Sequence, residues 1–507
     1  MFISALNAVL VTSITTLIFI WARRRLQRRT YPPGPPPKFL VGNLHDLPFG
    51  GNEWDQWEQL GKKYGSDIVY LSVLRASILV INSYKAATDL LDKKSAVYSD
   101  RPRFVMIKEL MKFNWNLVVM SYGKVYVAGR RVVQQNFQPS VVATSHRPIM
   151  EREVISLLLR LLSNSDDLAL HLKQMAAAII MMVSYGHRVT SIDDKYVRIA
   201  EAVRENEDKT PGNAIVDVLP FLKYVPTWFP GAGFKRHALF MRQLSINMRE
   251  APYQMVKDQL ASGVAVPSMV SALLEEKPAT GGMDFEEFVK DCAAVVYSAG
   301  ADTTAAAMIN FFLAMTLYPD VQRRAQQELD DVIGRDRLPT FEDREQLPYI
   351  NCIVKETLRW KAVSPLGVPH ASMEDDEYRD AFIPKGTTVV ANISAMLHDE
   401  AAYKTPQEFI PERFLPSDGV GPEPDPARIA FGFGRRICPG RFFADDSLWL
   451  TVVLALHMLN ITQPDGTGDE KITWSSGLVS LPSKFSYAIT PRFPSAPDLL
   501  AGASQHH

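Results

Sequence analysis

The strongest candidate for chemistry in this sequence is a cysteine, Cys438, in a glycine- and arginine-rich segment between Phe431 and Gly440. Arg435 and Arg436 precede the cysteine, and a helical pattern begins just after it. Positive charge and a following helix N-terminus both favour the thiolate form of a cysteine. The glycines allow the backbone to approach a flat partner closely. The segment therefore predicts a thiolate that faces a flat group.

A second candidate lies inside a long apolar segment, where Asp302 and Thr303 follow Gly300. The helical pattern begins at Asp284, runs to about Leu317 and is apolar on nearly all sides, which places the helix in the centre of the protein. A glycine within a helix costs up to about 1 kcal/mol relative to alanine, and a buried acid is unfavourable without a partner. Two unfavourable choices side by side indicate either a functional site or a kink with a satisfied aspartate.

Taken together, these separated motifs resemble the cytochrome P450 family of haem-thiolate enzymes. The ten-residue segment around Cys438 matches the pattern Phe-x-x-Gly-x-Arg-x-Cys-x-Gly at every specified position, of which Gly440 is the last. The resemblance implies that Cys438 is the axial thiolate ligand of haem iron, which favours O–O cleavage. Phe431 would pack beside the ligand loop, and Gly434 would leave room for amide donors to the sulfur. Arg436 would pair with a haem propionate.

The central helix also fits this resemblance, because the motif around Gly300 is similar to the family's oxygen-activation motif. Thr303 would donate a hydrogen bond to bound oxygen, and Asp302 would relay protons from solvent. Gly300 would remove side-chain bulk beside the oxygen. Thr303 and Asp302 are therefore the expected catalytic pair.

An acid–base pair three residues apart, Glu356 and Arg359, lies on one helix face. Such pairs are common on protein surfaces and carry little weight alone. With Arg413 downstream, however, the pair resembles the buried ion network of the family. The resemblance implies a structural role, because loss of one partner would leave an uncompensated buried charge and prevent haem incorporation.

Three residues are expected at the edge of the haem. His370 follows a stretch that lines the substrate pocket in this family and would contact a propionate. An early helix of the family carries Trp-x-x-x-Arg; here Arg130 holds the arginine position and Tyr126 replaces the tryptophan. A phenol can donate a hydrogen bond but with a different reach. The substitution therefore predicts a changed geometry at the haem edge.

The rest of the sequence predicts a mostly α protein with minor β sheets, the cytochrome P450 fold, preceded by one transmembrane helix. Helical periodicity is found at residues 84–94, 146–163, 168–185, 236–260, 284–317, 319–334, 348–361 and 441–459, and strand-like runs at 68–71, 77–81 and 388–390. The chain has 507 residues, 47% of them hydrophobic, and a net charge of -1, which excludes a wholly disordered protein and gives no sign of nucleic-acid binding. Three scattered cysteines form no disulfide framework and fit a reducing compartment.

The two ends of the chain differ from the middle. Residues 1–22 carry no charge and are long enough for a transmembrane anchor, and the arginines that follow place the rest of the chain in the cytoplasm. A cleaved signal peptide is the alternative, although the charge order is reversed for one. Residues 23–37 form a basic and proline-rich hinge, 38–493 the haem-thiolate domain and 494–507 a flexible tail.

The function implied by the resemblance is that of a membrane-anchored monooxygenase of the eukaryotic microsomal, fungal-like type in the endoplasmic reticulum. It would insert one atom of O2 into a lipophilic small molecule, such as a terpenoid of fungal secondary metabolism. The sequence has no flavin or nicotinamide fingerprint, so electrons would come from NADPH through a separate membrane-bound reductase, steered by Arg130, Arg131 and Arg435. An isomerase, dehydratase or peroxide-using enzyme on the same fold is the alternative, against which the Asp302–Thr303 pair argues; a non-catalytic binder is another.

Two further expectations concern surfaces. The substrate pocket should be mostly apolar, with Val119, Val295, Ala299, Leu366, Val368, Leu478 and Val479 in its wall. Residues 225–236 contain aromatic residues flanked by bases. This segment either enters the membrane interface beside the anchor or packs against the protein body.

Overall fold

A computed structural model describes residues 30–505 except 49, 75, 192, 208–212, 417–420, 465 and 467–470. The predicted anchor lies outside the described residues. The α-helices are α1 Glu53–Tyr64, α2 Tyr84–Ala87, α3 Lys124–Asn136, α4 Pro139–Val141, α5 Arg147–Ser163, α6 Leu168–Tyr185, α7 Lys195–Glu207, α8 Asn213–Val218, α9 Gly233–Ala261, α10 Met269–Glu276, α11 Phe285–Leu317, α12 Pro319–Val332, α13 Pro348–Trp360, α14 Ile393–Leu397, α15 Ala427–Ala430, α16 Arg441–Met458 and α17 Ala496–Ser504. Shorter 3-10 turns span Leu44–Asp46, Pro220–Tyr224, Phe341–Gln346, Pro411–Phe414 and Gly434–Arg436, and π-helical segments span Thr88–Lys93, Val105–Leu110 and Val142–His146. The fold is therefore mostly helical, as predicted.

The strands form small sheets beside the helices. They are β1 Ile68–Val73, β2 Ala76–Ile81, β3 His370–Ala371, β4 Asp376–Tyr378, β5 Ala381–Ile383, β6 Thr388–Ala391, β7 Leu459–Thr462 and β8 Ala488–Pro491. The largest sheet has the order β1-β2-β6-β3, in which β2 and β6 are parallel and the other pairs antiparallel. β4 pairs with β5, and β7 with β8. This arrangement places His370, at the start of β3, opposite Val389 on β6.

The central helix α11 begins as the sequence predicts, because the Asp284 carboxylate accepts a hydrogen bond from the backbone N–H of Glu287 at 3.1 Å. The Glu287 carboxylate accepts a hydrogen bond from Arg249 at 2.6 Å. α11 packs against α6, α9, α13 and α16, so its sides are buried along most of its length. The helix therefore holds its middle residues at the centre of the protein.

Within the described residues, α6 and α11 are the two helices long and apolar enough to cross a membrane. About two thirds of each apolar stretch is buried against the rest of the protein. The position of both helices in the core therefore explains their apolar sequences.

The C-terminal part of the proline-rich hinge lies against the sheet. The backbone N–H of Tyr70 on β1 donates to the carbonyl of Pro33 at 2.8 Å, and the Tyr31 and Tyr70 rings stack at 5.0 Å. A Cβ on Gly34 would lie 2.0 Å from the carbonyl oxygen of Tyr70, so only glycine allows this approach. The described part of the hinge is therefore fixed to the body.

The prediction of a flexible tail over 494–507 is wrong for most of that range. α17 packs against α5, and Ala496 and Leu500 are fully buried. Leu499 and Ala503 add contacts with the same core at helical spacing. The residues on the outer face of α17 are small or polar, so the helical pattern is weak in the sequence. Tertiary contacts stabilise this short amphipathic helix.

Candidate active site

A cavity of about 990 Å³ lies between the middle of α11 and the segment that carries Cys438. Its wall brings together nearly all of the predicted site residues: Tyr126, Arg130, Asp302, Thr303, His370, Phe431, Arg436, Cys438 and Gly440. Gly434 does not line the cavity, and the ion network of Glu356, Arg359 and Arg413 lies outside its wall. One cavity thus contains both the thiol and the acid–alcohol pair.

The Cys438 segment is a tight loop that ends at the first turn of α16. The backbone N–H of Cys438 donates to the carbonyl of Phe431 at 2.8 Å, which closes the loop. Gly434 has φ +56°, and a Cβ there would lie 2.0 Å from the Leu91 carbonyl oxygen. Its N–H donates to the Asp92 carboxylate. Gly434 therefore allows the loop to approach the π-helical segment Thr88–Lys93, rather than leaving room beside the sulfur as expected.

The charge environment of Cys438 differs from the one that the sequence predicted. Burial raises the pKa of the thiol, opposed by a hydrogen bond from the backbone N–H of Gly440 and by the charges of Arg130 and Arg441. The adjacent Arg436 points elsewhere. A bound metal ion deprotonates a coordinating thiol outright, so the raised pKa does not exclude the predicted thiolate ligand.

Arg436 is buried, and its guanidinium forms three hydrogen bonds with the backbone. Its guanidinium donates to the carbonyls of Ser99 at 2.8 Å, Met120 at 2.8 Å and Leu117 at 3.3 Å. It also lies over the Tyr126 ring, 3.6 Å from the centroid. These contacts fix the position of the positive charge in the cavity wall.

A second buried guanidinium, Arg101, was missed by the sequence analysis. It donates to the carbonyls of Val118 at 2.8 Å, Val368 at 2.7 Å and Pro369 at 2.8 Å. Burial, and then the nearby charge of Arg436, lowers the pKa of Arg101. A single arginine in a loop gives no periodic or motif signal, so only the tertiary structure reveals its place.

The two residues of the early helix α3 also turn toward the Cys438 loop. Tyr126 donates from its hydroxyl to the carbonyl of Arg435 at 3.1 Å, and Arg130 donates to the carbonyl of Ile437. Arg130 is partly buried, whereas Arg131 and Arg435 are exposed. Arg130 was therefore wrongly placed among the surface charges that would steer a reductase.

His370 lies in the cavity wall close to Arg101. Its Nδ1–H donates to the carbonyl of Tyr98 at 2.7 Å, which leaves Nε2 without a proton. Burial, followed by the charge of Arg101, lowers the pKa of His370 to about 3, so the ring is neutral at pH 7. An anion placed beside these groups would raise that pKa and favour the imidazolium.

These wall residues fit the haem group that the sequence suggested. Within the described residues, none of Arg101, Arg130 and Arg436 forms an ion pair with a carboxylate. Three guanidinium groups without an acid suit the two carboxylates of a haem. A Cβ on Gly440 would meet nothing within 4 Å, so the wall beside Cys438 keeps space for a flat ring.

The catalytic pair lies on the α11 side of the cavity. The Thr303 hydroxyl donates to the carbonyl of Ala299 at 2.7 Å. An Asp302 carboxylate oxygen lies 3.8 Å from Arg204 Nε on α7, and Arg204 is bound more closely, at 2.5 Å, by Glu201. Burial raises the pKa of Asp302 to about 6, against the opposing charge of Arg204. Asp302 can therefore exchange a proton near neutral pH.

Gly300 has a different neighbour from the one expected. A Cβ at this position would lie 2.9 Å from Cδ1 of Ile180 on α6. The missing side chain therefore lets α6 approach α11 closely. Gly300 also lines the cavity, so the expectation that it clears space beside bound oxygen stays a prediction.

The predicted ion network is assembled in full. Glu356 and Arg359 are completely buried on α13, and Arg359 donates to the two carboxylate oxygens of Glu356 at 2.7 and 2.9 Å. Arg413 donates to the same carboxylate at 3.1 Å and to Glu423 at 2.7 Å. The remaining N–H groups of Arg359 donate to the backbone carbonyls of Leu397, Pro406 and Glu408. Each charge thus has partners, as a buried network needs.

The apolar wall is close to the predicted one. The cavity is lined by Val119, Val295, Ala299, Val368, Leu478 and Val479. Leu366 is the exception, because it packs against the core cluster that contains Trp57. The side chain next to Gly367 thus faces the sheet instead of the cavity.

Comparison with known proteins agrees with this geometry. The sequence model of the family "Cytochrome P450" matches residues 32–489. Cytochrome P450 monooxygenase 208 of Postia placenta is 40% identical over 495 residues, which cover 97% of this chain and 96% of that protein. Cytochrome P450 monooxygenase claR of Ampulloclitocybe clavipes is 37% identical over 513 residues, with 99% and 94% covered, and Cytochrome P450 monooxygenase COX2 of Coprinopsis cinerea is 40% identical over 480 residues, with 93% and 91% covered. The chain therefore belongs to the cytochrome P450 family of monooxygenases, oxidoreductases that hold haem through a cysteine thiolate and receive electrons from a reductase.

Proposed function

We propose that this chain hydroxylates a lipophilic small molecule, with Cys438 as the axial haem ligand and Thr303 and Asp302 as the proton-delivering pair. The observation that carries the proposal is the single cavity that contains the thiol, the acid–alcohol pair and a mostly apolar wall. Haem bound there supplies the redox chemistry, in which O2, two electrons and two protons yield one oxygen atom for the substrate and one water.

The protein's own part is to hold charge, exclude water and move protons. Arg101, Arg130 and Arg436, which hydrogen bonds to the backbone hold in place, would present positive charge to the haem propionates. The apolar wall keeps bulk water away from the reacting carbon. Asp302, with a pKa of about 6, takes up a proton on the side of Arg204. The neighbouring Thr303 hydroxyl, which donates to the carbonyl of Ala299, would turn toward the cavity to act as the next donor.

The proposed substrate class is an apolar skeleton such as a terpenoid of fungal secondary metabolism. Support comes from the side chains that line the cavity, chiefly valine and alanine with some leucine and phenylalanine, and from the fungal origin of the relatives. A fold alone does not select a substrate, so the proposal rests on this lining.

The proposal places the domain on the cytoplasmic face of the endoplasmic reticulum membrane. Residues 1–22, outside the described residues, are the anchor by their apolar sequence alone. An NADPH-dependent reductase in the same membrane is the electron donor. Arg131 and Arg435, exposed near the Cys438 loop, are the basic residues available to an acidic partner.

Isotope labelling tests the reaction class. The full chain, with reductase and NADPH, is incubated under ¹⁸O2 with a panel of sesquiterpene hydrocarbons, and products are analysed by mass spectrometry. We expect products that carry one ¹⁸O atom and require NADPH. Products without ¹⁸O would support an isomerase or dehydratase, and NADPH-independent oxidation driven by hydrogen peroxide would support a peroxide-using enzyme; either result rejects the proposal.

Asp302→Asn is expected to slow proton delivery while it raises the stability of the folded protein. The folded carboxyl has a pKa of about 6, above its ordinary value of 3.8, so the folded state binds more protons than the unfolded state between these values. The native carboxylate therefore opposes folding above pH 6, and its effect vanishes below about pH 4. We expect the variant to unfold at a higher temperature than the parent at pH 8, with a smaller difference at pH 5.

The same variant should form product about 10²-fold more slowly, since a positioned proton donor contributes on this scale. Arg204 keeps Glu201 as its partner, so the substitution leaves no unpaired charge. Oxygen consumption and product formation are measured together. A variant that keeps the parent's ratio of product formed to oxygen consumed would show that Asp302 has only a structural role in the helix.

A further inference from the structure

Two uncharged polar side chains meet in the wall of the Cys438 cavity, and proton delivery uses neither of them. Asn116, on the loop between the π-helical segment Val105–Leu110 and α3, and Ser298 on α11 both line the cavity. Asn116 Nδ2 lies 3.4 Å from Ser298 Oγ. Ser298 precedes Asp302 by four residues, a rise of about 6 Å along the helix. The polar pair therefore lies on the same side of the cavity as the catalytic pair.

The Asn116 amide has a hydrogen-bond donor to spare. Its Oδ1 accepts from the backbone N–H of Val118 at 2.9 Å, which identifies the oxygen of the amide and leaves Nδ2 with two N–H groups. Among the residues that the structure describes, Ser298 Oγ is the one acceptor for Nδ2. A distance of 3.4 Å is long for a hydrogen bond. At least one N–H of Asn116 is thus available to a molecule in the cavity.

Ser298 uses its own hydroxyl proton within α11. The hydroxyl donates to the carbonyl of Val295 at 3.2 Å, so its oxygen is left as the acceptor that Asn116 contacts. The pair therefore offers a donor to the cavity. A donor recognises an oxygen with lone pairs, such as a carbonyl or a hydroxyl group.

The loop that carries Asn116 is held by the guanidinium groups expected at the haem edge. Arg436 donates to the carbonyl of Leu117 at 3.3 Å. Arg101 donates to the carbonyl of Val118 at 2.8 Å. Because these arginines also suit the haem propionates, they set the position of the Asn116 amide relative to the haem site.

The other side of the loop is fixed to α9. Trp115 directly precedes Asn116, and its indole N–H donates to Ser245 Oγ on α9 at 2.9 Å. Both Trp115 and Ser245 are buried. A donor that is fixed from both sides loses little conformational freedom when it binds a ligand, which favours geometric selectivity.

The remaining side chains that the loop and α9 contribute to this wall are largely apolar. They include Met111, Phe113, Met241 and Met248. A hydrocarbon that filled this space would displace water from the Asn116 N–H without replacing its hydrogen bond, which is unfavourable. A ligand with an oxygen at this point would satisfy the donor and still contact the apolar wall.

We propose that Asn116 determines substrate specificity by donating from Nδ2 to an oxygen that the substrate already carries. The substrate is then an oxygenated lipophilic molecule, a ketone or an alcohol, rather than a bare hydrocarbon. The hydrogen bond also selects which carbon faces the haem. The reaction that supplies this substrate must leave oxygen on the skeleton, as an earlier oxygenation or a cyclisation that ends with capture of water does. The inference rests on the proposed monooxygenase function and narrows its substrate class.

Binding spectra with matched ligands test this proposal. The full chain with haem is titrated with valencene, nootkatol and nootkatone, which are a hydrocarbon, an alcohol and a ketone of one skeleton, and with equivalent sets of four other sesquiterpene skeletons. The shift of the haem Soret band gives each dissociation constant. For at least one skeleton we expect the parent to bind the ketone and the alcohol more tightly than the hydrocarbon.

Asn116→Asp separates the donor from the rest of the side chain. The carboxylate still accepts from the Val118 N–H, but it has no proton to give to a ketone, whereas an alcohol can donate to it. We expect the ketone-to-hydrocarbon affinity ratio to fall about tenfold, the scale of one hydrogen bond, and the alcohol-to-hydrocarbon ratio to stay within about threefold of the parent's. Asn116→Ala should lose both preferences.

Asn114 provides the matched control, because it lies on the same loop, is exposed and is outside the cavity wall. Asn114→Asp and Asn114→Ala should keep the parent's ratios, and the haem absorption spectrum verifies the folding of each variant. A parent that prefers the hydrocarbon of every skeleton, Asn116 variants with the parent's ratios, or equal loss of ketone and alcohol binding in Asn116→Asp would each overturn the inference. Any of these results together with NADPH-dependent ¹⁸O-labelled products would leave the proposed monooxygenase function intact.

Discussion

Cys438→Ala is expected to abolish the thiolate-type absorption band of the reduced carbon monoxide complex and all oxygenation. Of the three cysteines, Cys438 is the one that lines the cavity, whereas Cys292 and Cys352 are buried in core clusters. Burial raises the pKa of Cys352 to about 11 and raises that of Cys292 further, so both remain thiols. No other side chain in the cavity wall can supply a thiolate.

Two further variants make this result interpretable. Cys438→His keeps a possible iron ligand, so bound haem with a shifted, nitrogen-type spectrum would assign the ligand even if the alanine variant loses its haem. Cys352→Ala is the matched control; it shortens a buried cysteine on α13 and should keep the parent spectrum. A thiolate band that persists in Cys438→Ala, with circular dichroism unchanged, would contradict the ligand assignment.

The long helices were predictable because their apolar periodicity extends over many residues. α6 was predicted with its observed bounds, and α11 within one residue. In contrast, α1 and α7 were not predicted, since each buries few residues: in α1 these are Trp57 and Gly61. Such helices depend on contacts with neighbours, which a local pattern does not contain.

Short motifs predicted which residues form the site. They did not predict the direction in which each side chain points. Arg435 and Arg436 are adjacent in sequence, yet one donates to the exposed Tyr122 hydroxyl and the other to buried carbonyls. The glycines show the same limit. Gly434 was assigned to the space beside the sulfur, whereas a Cβ there would meet the carbonyl of Leu91, and the contact of Gly300 with Ile180 on the distant helix α6 was not predicted either.

Glu356→Gln is expected to lower the free energy of unfolding by about 3–5 kcal/mol, because removing one partner of a buried ion pair leaves the other charges uncompensated. Arg359 is completely buried and, among the residues that the structure describes, pairs with no carboxylate other than Glu356, while Arg413 retains Glu423. Unfolding in urea measures the stability, and the ratio of haem to protein measures incorporation. Both values should fall.

An exposed pair with the same spacing provides the control for this network. Asp320 and Arg323 are also three residues apart on a helix, but their side chains are 86% and 68% exposed. Arg323→Ala should change the free energy of unfolding by less than about 1 kcal/mol, since water replaces the lost partner. Arg413→Lys adds a graded test: it keeps one charge but cannot bind both Glu356 and Glu423 with a planar fork. We expect Glu356→Gln to lower stability most, Arg413→Lys to have an intermediate effect and Arg323→Ala to have a mild effect. This order would show that burial and geometry, rather than the spacing of charges along the helix, make the network necessary. Equal stability of Glu356→Gln and Arg323→Ala would instead mean that the buried network is dispensable for folding.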